Sequence, residues 1–191
     1  MRILGVDPGT IRTGIGLIES EGSRCRLLHC GVISAPSSLP LPERLHRIHT
    51  ALRGIIRGHR PSVLALENVF FGKDVQAMVK IGEARACAML AASERGIAVV
   101  EYAPARVKQS VTGTGRATKE QIQYMVKNLL RLDSLPPADS ADALAVAICH
   151  CHLEKSPGRR GEPSSGLRKK KAKTWAQVAA ERGAAKQCTN I

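Results

Sequence analysis

The 191-residue sequence has no apolar stretch approaching the ~20 residues that a helix needs to cross a bilayer. Its N-terminus, Met1-Arg2-Ile3-Leu4-Gly5-Val6-Asp7, reaches an acid before an apolar signal region can build. A soluble cytoplasmic protein is therefore expected. Acids are scarce too: 16 Asp and Glu stand against 29 Lys and Arg, a formal charge of +13 with pI near 10. Such a surplus favours a polyanionic partner, because neutralised phosphates release their counterions. Nucleic acid is the first candidate and an anionic membrane surface the second. No internal repeat is visible. The six cysteines lie mostly inside periodic segments rather than in a loop-rich disulfide framework, so reduced, partly buried thiols are expected.

Length allows one domain of ordinary size, read as residues 1–153, and a tail over 154–191. Beyond Glu154 it carries ten basic residues against Glu162 and Glu181, which places about +8 of the charge there. Its Pro, Gly and Ser content followed by a Lys run cannot bury enough apolar surface to order itself. Within the domain, Arg2 to Val6, Thr13 to Glu19 and Arg26 to Ser34 read as three strands of an antiparallel meander. Pro36 to Pro42 reads as a loop. Leu45, Ile48, Leu52, Ile55 and Ile56 then recur at helical spacing up to Gly58. Ser62 to Glu67 is a short apolar strand. Val75, Met78, Val79, Gly82, Ala86, Met89 and Leu90 mark one stripe of a second helix, read mainly as core. Ile97 to Glu101 is the fifth strand. A short helix over Pro104 to Ser110, a Gly-rich loop from Val111 to Ala117, a helix opened by a Thr118/Gln121 capping box, and a last helix from Ala138 to about His152 complete the domain. The fold class is α/β: a five-stranded mixed sheet, three antiparallel strands then two parallel, with helices on both faces.

Four acids occupy unusual places. Asp7 closes the run Ile3 to Val6, Glu67 closes Val63 to Leu66, and Asp139 and Asp142 stand three residues apart in the first turn of the last helix. If the first and fourth strands are parallel neighbours, Asp7 and Glu67 end about 5 Å apart across the ladder. Asp139 and Asp142 share one helix face and can point at them. Each acid alone has a plain explanation: a helix dipole attracts Asp139 and Asp142, and Asp7 before Pro8-Gly9 suits a turn. Glu67 is harder to dismiss, since an unpaired carboxylate at the end of a buried strand is costly. Together the four would repel one another unless cations intervene. Hard divalent ions suit oxygen-only ligands, and magnesium fits better than zinc. Two such ions imply phosphodiester hydrolysis.

The segments Ile3-Leu4-Gly5-Val6-Asp7-Pro8-Gly9-Thr10 to Gly14, Leu66-Glu67-Asn68-Val69-Phe70-Phe71, Lys108-Gln109-Ser110-Val111 and Ala138-Asp139-Ser140-Ala141-Asp142-Ala143-Leu144-Ala145 closely resemble the RuvC family of bacterial Holliday junction resolvases, from Ile3 to about His152. The resemblance implies a ribonuclease H-like fold, a homodimer whose interface takes part of the Val75 to Leu90 stripe, two Mg2+ per site with Mn2+ as a possible substitute, and symmetric nicking of four-way junction DNA. It also implies branch-migration machinery of the RuvA and RuvB type as partner, and no membrane. The family's catalytic and metal-binding acids fall on Asp7, Glu67, Asp139 and Asp142.

Phe70 and Phe71, two of only five aromatic residues, follow Glu67 and can stack on an unpaired base. The resemblance points to Phe70 as the wedge at the junction centre. Lys108, Arg116 and Lys119 flank the loop Thr112 to Gly115, and Lys73, Lys80 and Arg85 extend the same candidate DNA path. The family's important basic positions fall on Lys108 and Lys119. Two further signals are discounted. Gly113-Thr114-Gly115 lacks the preceding strand and later acid of a nucleotide fingerprint. Cys149, His150, Cys151 and His152 are adjacent on a helix and cannot close one tetrahedron, so they are assigned to packing and surface. Three rivals remain. An actin-like or sugar-kinase-like ATPase would need a second Asp-x-Gly-Thr that the chain lacks. A nuclease for RNA/DNA hybrids keeps the same fold, and a non-catalytic DNA-binding module leaves the acids unexplained.

Overall fold

The computed structural model describes residues 1–21, 24–68 and 75–154. Phe70, Phe71, Lys73 and the basic tail from residue 155 onward lie outside the described residues. Five strands form one sheet: β1 (Arg2–Asp7), β2 (Arg12–Glu21), β3 (Arg24–Ser34), β4 (Val63–Glu67) and β5 (Ala98–Tyr102). Their order is β3-β2-β1-β4-β5, so β1 is the central strand. It pairs antiparallel with β2 and parallel with β4, and β4 pairs parallel with β5. Buried on both faces, β1 and β4 read as the near-continuous apolar runs Ile-Leu-Gly-Val and Val-Leu-Ala-Leu.

Alternation along the strands divides the interior into two layers. Leu4, Val6, Leu64 and Leu66 face helices α1 (Leu41–His59) and α2 (Val75–Ser93), meeting Ile48, Leu52, Ile56, Ala88, Ala91 and Ala92. Ile3, Val63 and Ala65 face the opposite layer, built by α3 (Pro104–Thr112), α4 (Lys119–Leu130) and α5 (Ala138–Glu154). Helix α1 starts at Leu41, earlier than the expected loop allowed. Pro42 falls in its first turn, where a missing N–H costs nothing and the fixed φ suits a helix. Thr118 and Gln121 close the expected capping box: Thr118 Oγ1 accepts from the Gln121 N–H at 3.3 Å and Gln121 Oε1 from the Thr118 N–H at 2.9 Å.

The apolar stripe expected on α2 is only partly core: Met89 packs against the α1–α2 layer. The stripe Val75, Val79, Gly82, Ala86 and Leu90 faces outward, with Val75, Val79 and Leu90 67%, 55% and 59% exposed. The core face is instead Ala84, Cys87, Ala88, Ala91 and Ala92. The helix is apolar on two sides, and its small residues let it lie close to the sheet, while the bulkier row is left uncovered within the described residues.

Helix α5 is buried from Ser140 to Cys151 except at Asp142, with the sheet on one side and α3 and α4 on the other. Its approach to the sheet depends on missing side chains. A methyl group at Gly5 would run into the Ala143 carbonyl oxygen, and one at Gly14 into the carbonyl oxygen of Asp139. The Ser140 hydroxyl donates to the Gly31 carbonyl at 2.9 Å, tying the first turn of α5 to β3. At the far end, Cys149, His150 and Cys151 are buried, as a packing role requires, and the Tyr102 hydroxyl meets His150 Nδ1 at 2.6 Å. Gly5→Val should therefore cost at least about 3 kcal/mol by wedging α5 off β1. Urea denaturation measures this, and a loss well under 1 kcal/mol would show that the helix lifts freely.

Candidate active site

Asp7 and Glu67 reach the same side of the sheet by strand geometry alone. Val6 pairs with Leu66 across the parallel β1–β4 ladder, so the next residues in each strand are these two acids. Residues two and four apart share a face. Asp7 thus lies on the side of Ile3 and Gly5, and Glu67 on the side of Val63 and Ala65, both toward α5. Gly14, opposite Asp7 on β2, is where the Asp139 backbone sits down. The first turn of α5 therefore delivers Asp139 and Asp142 to the strand ends that carry the other two acids.

The acids act on one another electrostatically. The Asp7 carboxyl is pushed up to about 7, first by burial and then by Asp142, Glu67 and Asp139, with Lys119 opposing. Glu67 is raised by burial and by Asp142, against Lys108 and Lys119. Asp142 is raised by burial, which outweighs the adjacent Lys119. This half-buried group of acids is short of positive charge.

Two side chains supply part of it. Arg12 Nε meets Asp139 Oδ2 at 2.6 Å, and Lys119 Nζ stands 3.7 Å from Asp142 Oδ2. Nothing in the sequence marks Arg12, since its pairing exists only once α5 is seated on β2. Among the described residues, no three His, Cys, Asp or Glu side chains are arranged to hold a metal ion as they stand. Asp139 is instead turned to Arg12. The donor set nevertheless fits a hard divalent cation. Its ligands are all carboxylate oxygens, and the raised Asp7 carboxyl marks where compensating charge is missing.

The loop after Asp7 is held from within. The buried Thr13 hydroxyl donates to the Gly9 carbonyl at 2.7 Å, and Arg44 donates to Thr10 Oγ1 at 3.2 Å. Both contacts escape sequence reading, because Thr13 looks like any strand residue and Arg44 arrives from α1.

The basic residues separate into two groups. Lys108 on α3 and Lys119 at the start of α4 both act on the acids, and Lys80 and Arg116 are exposed. Arg85 corrects the expected DNA path. Its side chain is only 11% exposed and is consumed internally, 2.5 Å from Glu101 and donating to the Glu67 carbonyl at 2.7 Å. It anchors the end of β4 and presents no free charge to a phosphate.

In metal-free protein the proton on Asp7 adds stability that is fully present below the ordinary carboxyl value and is lost as pH rises through about 7. Asp7→Asn should raise stability at about pH 8 in chelator by on the order of 2 kcal/mol and flatten the slope between about pH 4 and pH 7. Urea titrations across that range check this. A mutant profile parallel to the wild-type one would remove Asp7 as the source.

Comparison with known proteins follows the same lines. The family model for crossover junction endodeoxyribonuclease RuvC matches residues 3–150. The crossover junction endodeoxyribonuclease RuvC of Rhodopseudomonas palustris is 51% identical over 159 residues, covering 83% of this chain and 91% of that protein. That of Pelotomaculum thermopropionicum is 49% identical over 153 residues, covering 80% and 93%. The structure of T. thermophilus RuvC in complex with Holliday junction substrate superposes with a TM-score of 0.77 at 35% identity, covering 81% of this chain and 94% of that one. The yeast mitochondrial Holliday junction resolvase Ydc2, at 10% identity and TM-score 0.55, shares the fold alone. The mixed five-stranded sheet is the expected ribonuclease H-like fold. By family model, sequence and structure, this chain belongs to the RuvC family of crossover junction endodeoxyribonucleases.

Proposed function

We propose that this enzyme resolves four-way DNA junctions by paired, symmetric phosphodiester cuts, acting in recombination and repair in the cytoplasm. The observation that carries the reading is the gathering of Asp7, Glu67, Asp139 and Asp142 where two strand ends meet one helix start. Divalent-metal dependence goes with the family. The oxygen-only donor set favours two Mg2+ held by these four acids, with Mn2+ as a substitute. When bound, such a pair acidifies the attacking water and stabilises the leaving oxygen.

The chain's other residues bind and orient. Lys119 lies in the first turn of α4, where backbone N–H groups also favour phosphate, and its ammonium beside Asp142 would balance charge developing at the scissile group. Lys108 reinforces it from α3. Lys80 and Arg116, exposed on the surface, draw DNA arms inward. Phe70 enters the junction centre and stacks on an unpaired base, worth roughly 1 to 3 kcal/mol, and Phe71 and Lys73 are assigned to the same DNA contact. Arg12 holds Asp139 until DNA and metal arrive.

Symmetric cutting needs two sites, and the α2 stripe of Val75, Val79 and Leu90, exposed among the described residues, is the apolar surface through which a homodimer would form. Branch-migration machinery of the RuvA and RuvB type is the expected partner on the junction.

With Mg2+ the protein should nick a synthetic four-way junction at paired positions and leave linear duplex and RNA/DNA hybrid largely intact. Asp7→Asn should retain junction binding and lose cutting by a factor on the order of 10^3 or more. Equal cutting of hybrid, or ATP turnover without cutting, would favour a rival. Val79→Glu should shift sedimentation toward monomer and convert paired nicks to scattered single ones. An unchanged oligomeric state would place the interface elsewhere.

A further inference from the structure

Outside the acid site, sulfur chemistry concentrates at one place. Ser20 on β2 and Cys25 on β3 are direct partners across the antiparallel ladder. Both meet the last turns of α5, where Cys151 Sγ lies 2.8 Å from Cys25 Sγ and 3.3 Å from Ser20 Oγ. The two cysteines are 126 residues apart in sequence. Cys25 is half-buried and Cys151 is fully buried. Other thiols behave differently: Cys87 is directed at the Leu45 carbonyl and Cys149 at the Arg106 carbonyl.

The geometry points to Cys25 and Cys151 as a reversible disulfide site that clamps the end of α5 to the β2–β3 hairpin when the protein meets a hydroperoxide. Their sulfurs are already within an ångström of the about 2.05 Å of a disulfide, so the bond can form without moving the backbone far. Accessibility divides the roles. The more exposed Cys25, as thiolate, attacks the peroxide O–O bond, becoming a sulfenic acid and releasing one molecule of alcohol or water. The Cys151 sulfur then displaces the sulfenic oxygen as water. In total the two thiols lose two electrons and two protons, and the peroxide takes up both. A small-molecule thiol reverses the bond by exchange. In a reducing cytoplasm the pair stays reduced, and oxidant closes it.

Closing so long a loop restricts the unfolded chain far more than the folded one. The expected result is a rise in Tm rather than a change in catalysis. The opposite end of α5 carries Asp139 and Asp142, and a bond between atoms already in contact leaves that end where it is.

Full-length protein, reduced and then exposed to stoichiometric hydrogen peroxide, tests this by non-reducing peptide mapping and thermal denaturation. The Cys25 and Cys151 peptides should appear cross-linked, with Tm raised on the order of 5–10 °C and both effects reversed by dithiothreitol. Cys30→Ser should keep the cross-link and the shift, while Cys25→Ser loses both. Cys25 joined mainly to Cys30, Cys188 or another molecule, or oxidised without any cross-link, would overturn the inference. So would a cross-linked wild type whose Tm does not rise. The mapping is done on the wild-type chain, so the test does not depend on how well a variant folds.

Discussion

The structure depends on backbone meeting backbone. Helix α5 lies on β1 and β2 at positions where Gly5 and Gly14 offer no side chain, so the carbonyls of Ala143 and Asp139 occupy the space that a Cβ would take. Asp139 and Asp142 inherit their positions from that contact. A helix held off by ordinary side chains would stand farther from the sheet and would have freedom to shift. Here the seat admits one placement. The strands bring Asp7 and Glu67 together by register, and the glycine seat brings the helix-borne pair to them.

Charge is the second constraint. Four carboxylates in a half-buried corner cannot all ionise without help, and the raised Asp7 carboxyl is the visible result. Arg12 and Lys119 supply partial compensation from solvent-facing positions, 58% and 78% exposed, where their side chains can leave without unfolding anything. Arg85 does the reverse. Buried against Glu101 and the Glu67 backbone, it is fixed, and it holds the end of β4 rather than a ligand. Two kinds of cation thus surround the acids: one kind exchangeable, the other part of the frame.

Much of this was legible in the sequence because each signal had a local cause. The alternation of apolar strands with acids at their ends, the Thr118/Gln121 box and the helical spacing from Leu45 to Ile56 all arise from interactions within a few residues. The outward turn of most of the α2 stripe, expected mainly as core, has a physical reason. Periodicity shows that a helix has apolar rows but not which row meets the sheet, and alanines, which bury closely, look weaker than Val79 or Leu90. Arg85 and Arg12 were beyond reach in the same way. Each is an ordinary surface cation in sequence, and only tertiary placement decides that one is walled in and the other paired to Asp139. Thr13 and Arg44, which brace the loop after Asp7, carried no signal at all.

The hydrogen bond between Tyr102 and His150 acts on the placement of α5 from its other end. Sliding the helix by one turn, about 5.4 Å, would strand a phenol and an imidazole in apolar surroundings, each at a penalty of about 1 to 3 kcal/mol. Burial holds the imidazole below its usual range, favouring the uncharged ring. The pair therefore works as a vernier: a small polar mark deep in an oily interior that fixes, several turns away, where the first two aspartates of the helix come to rest.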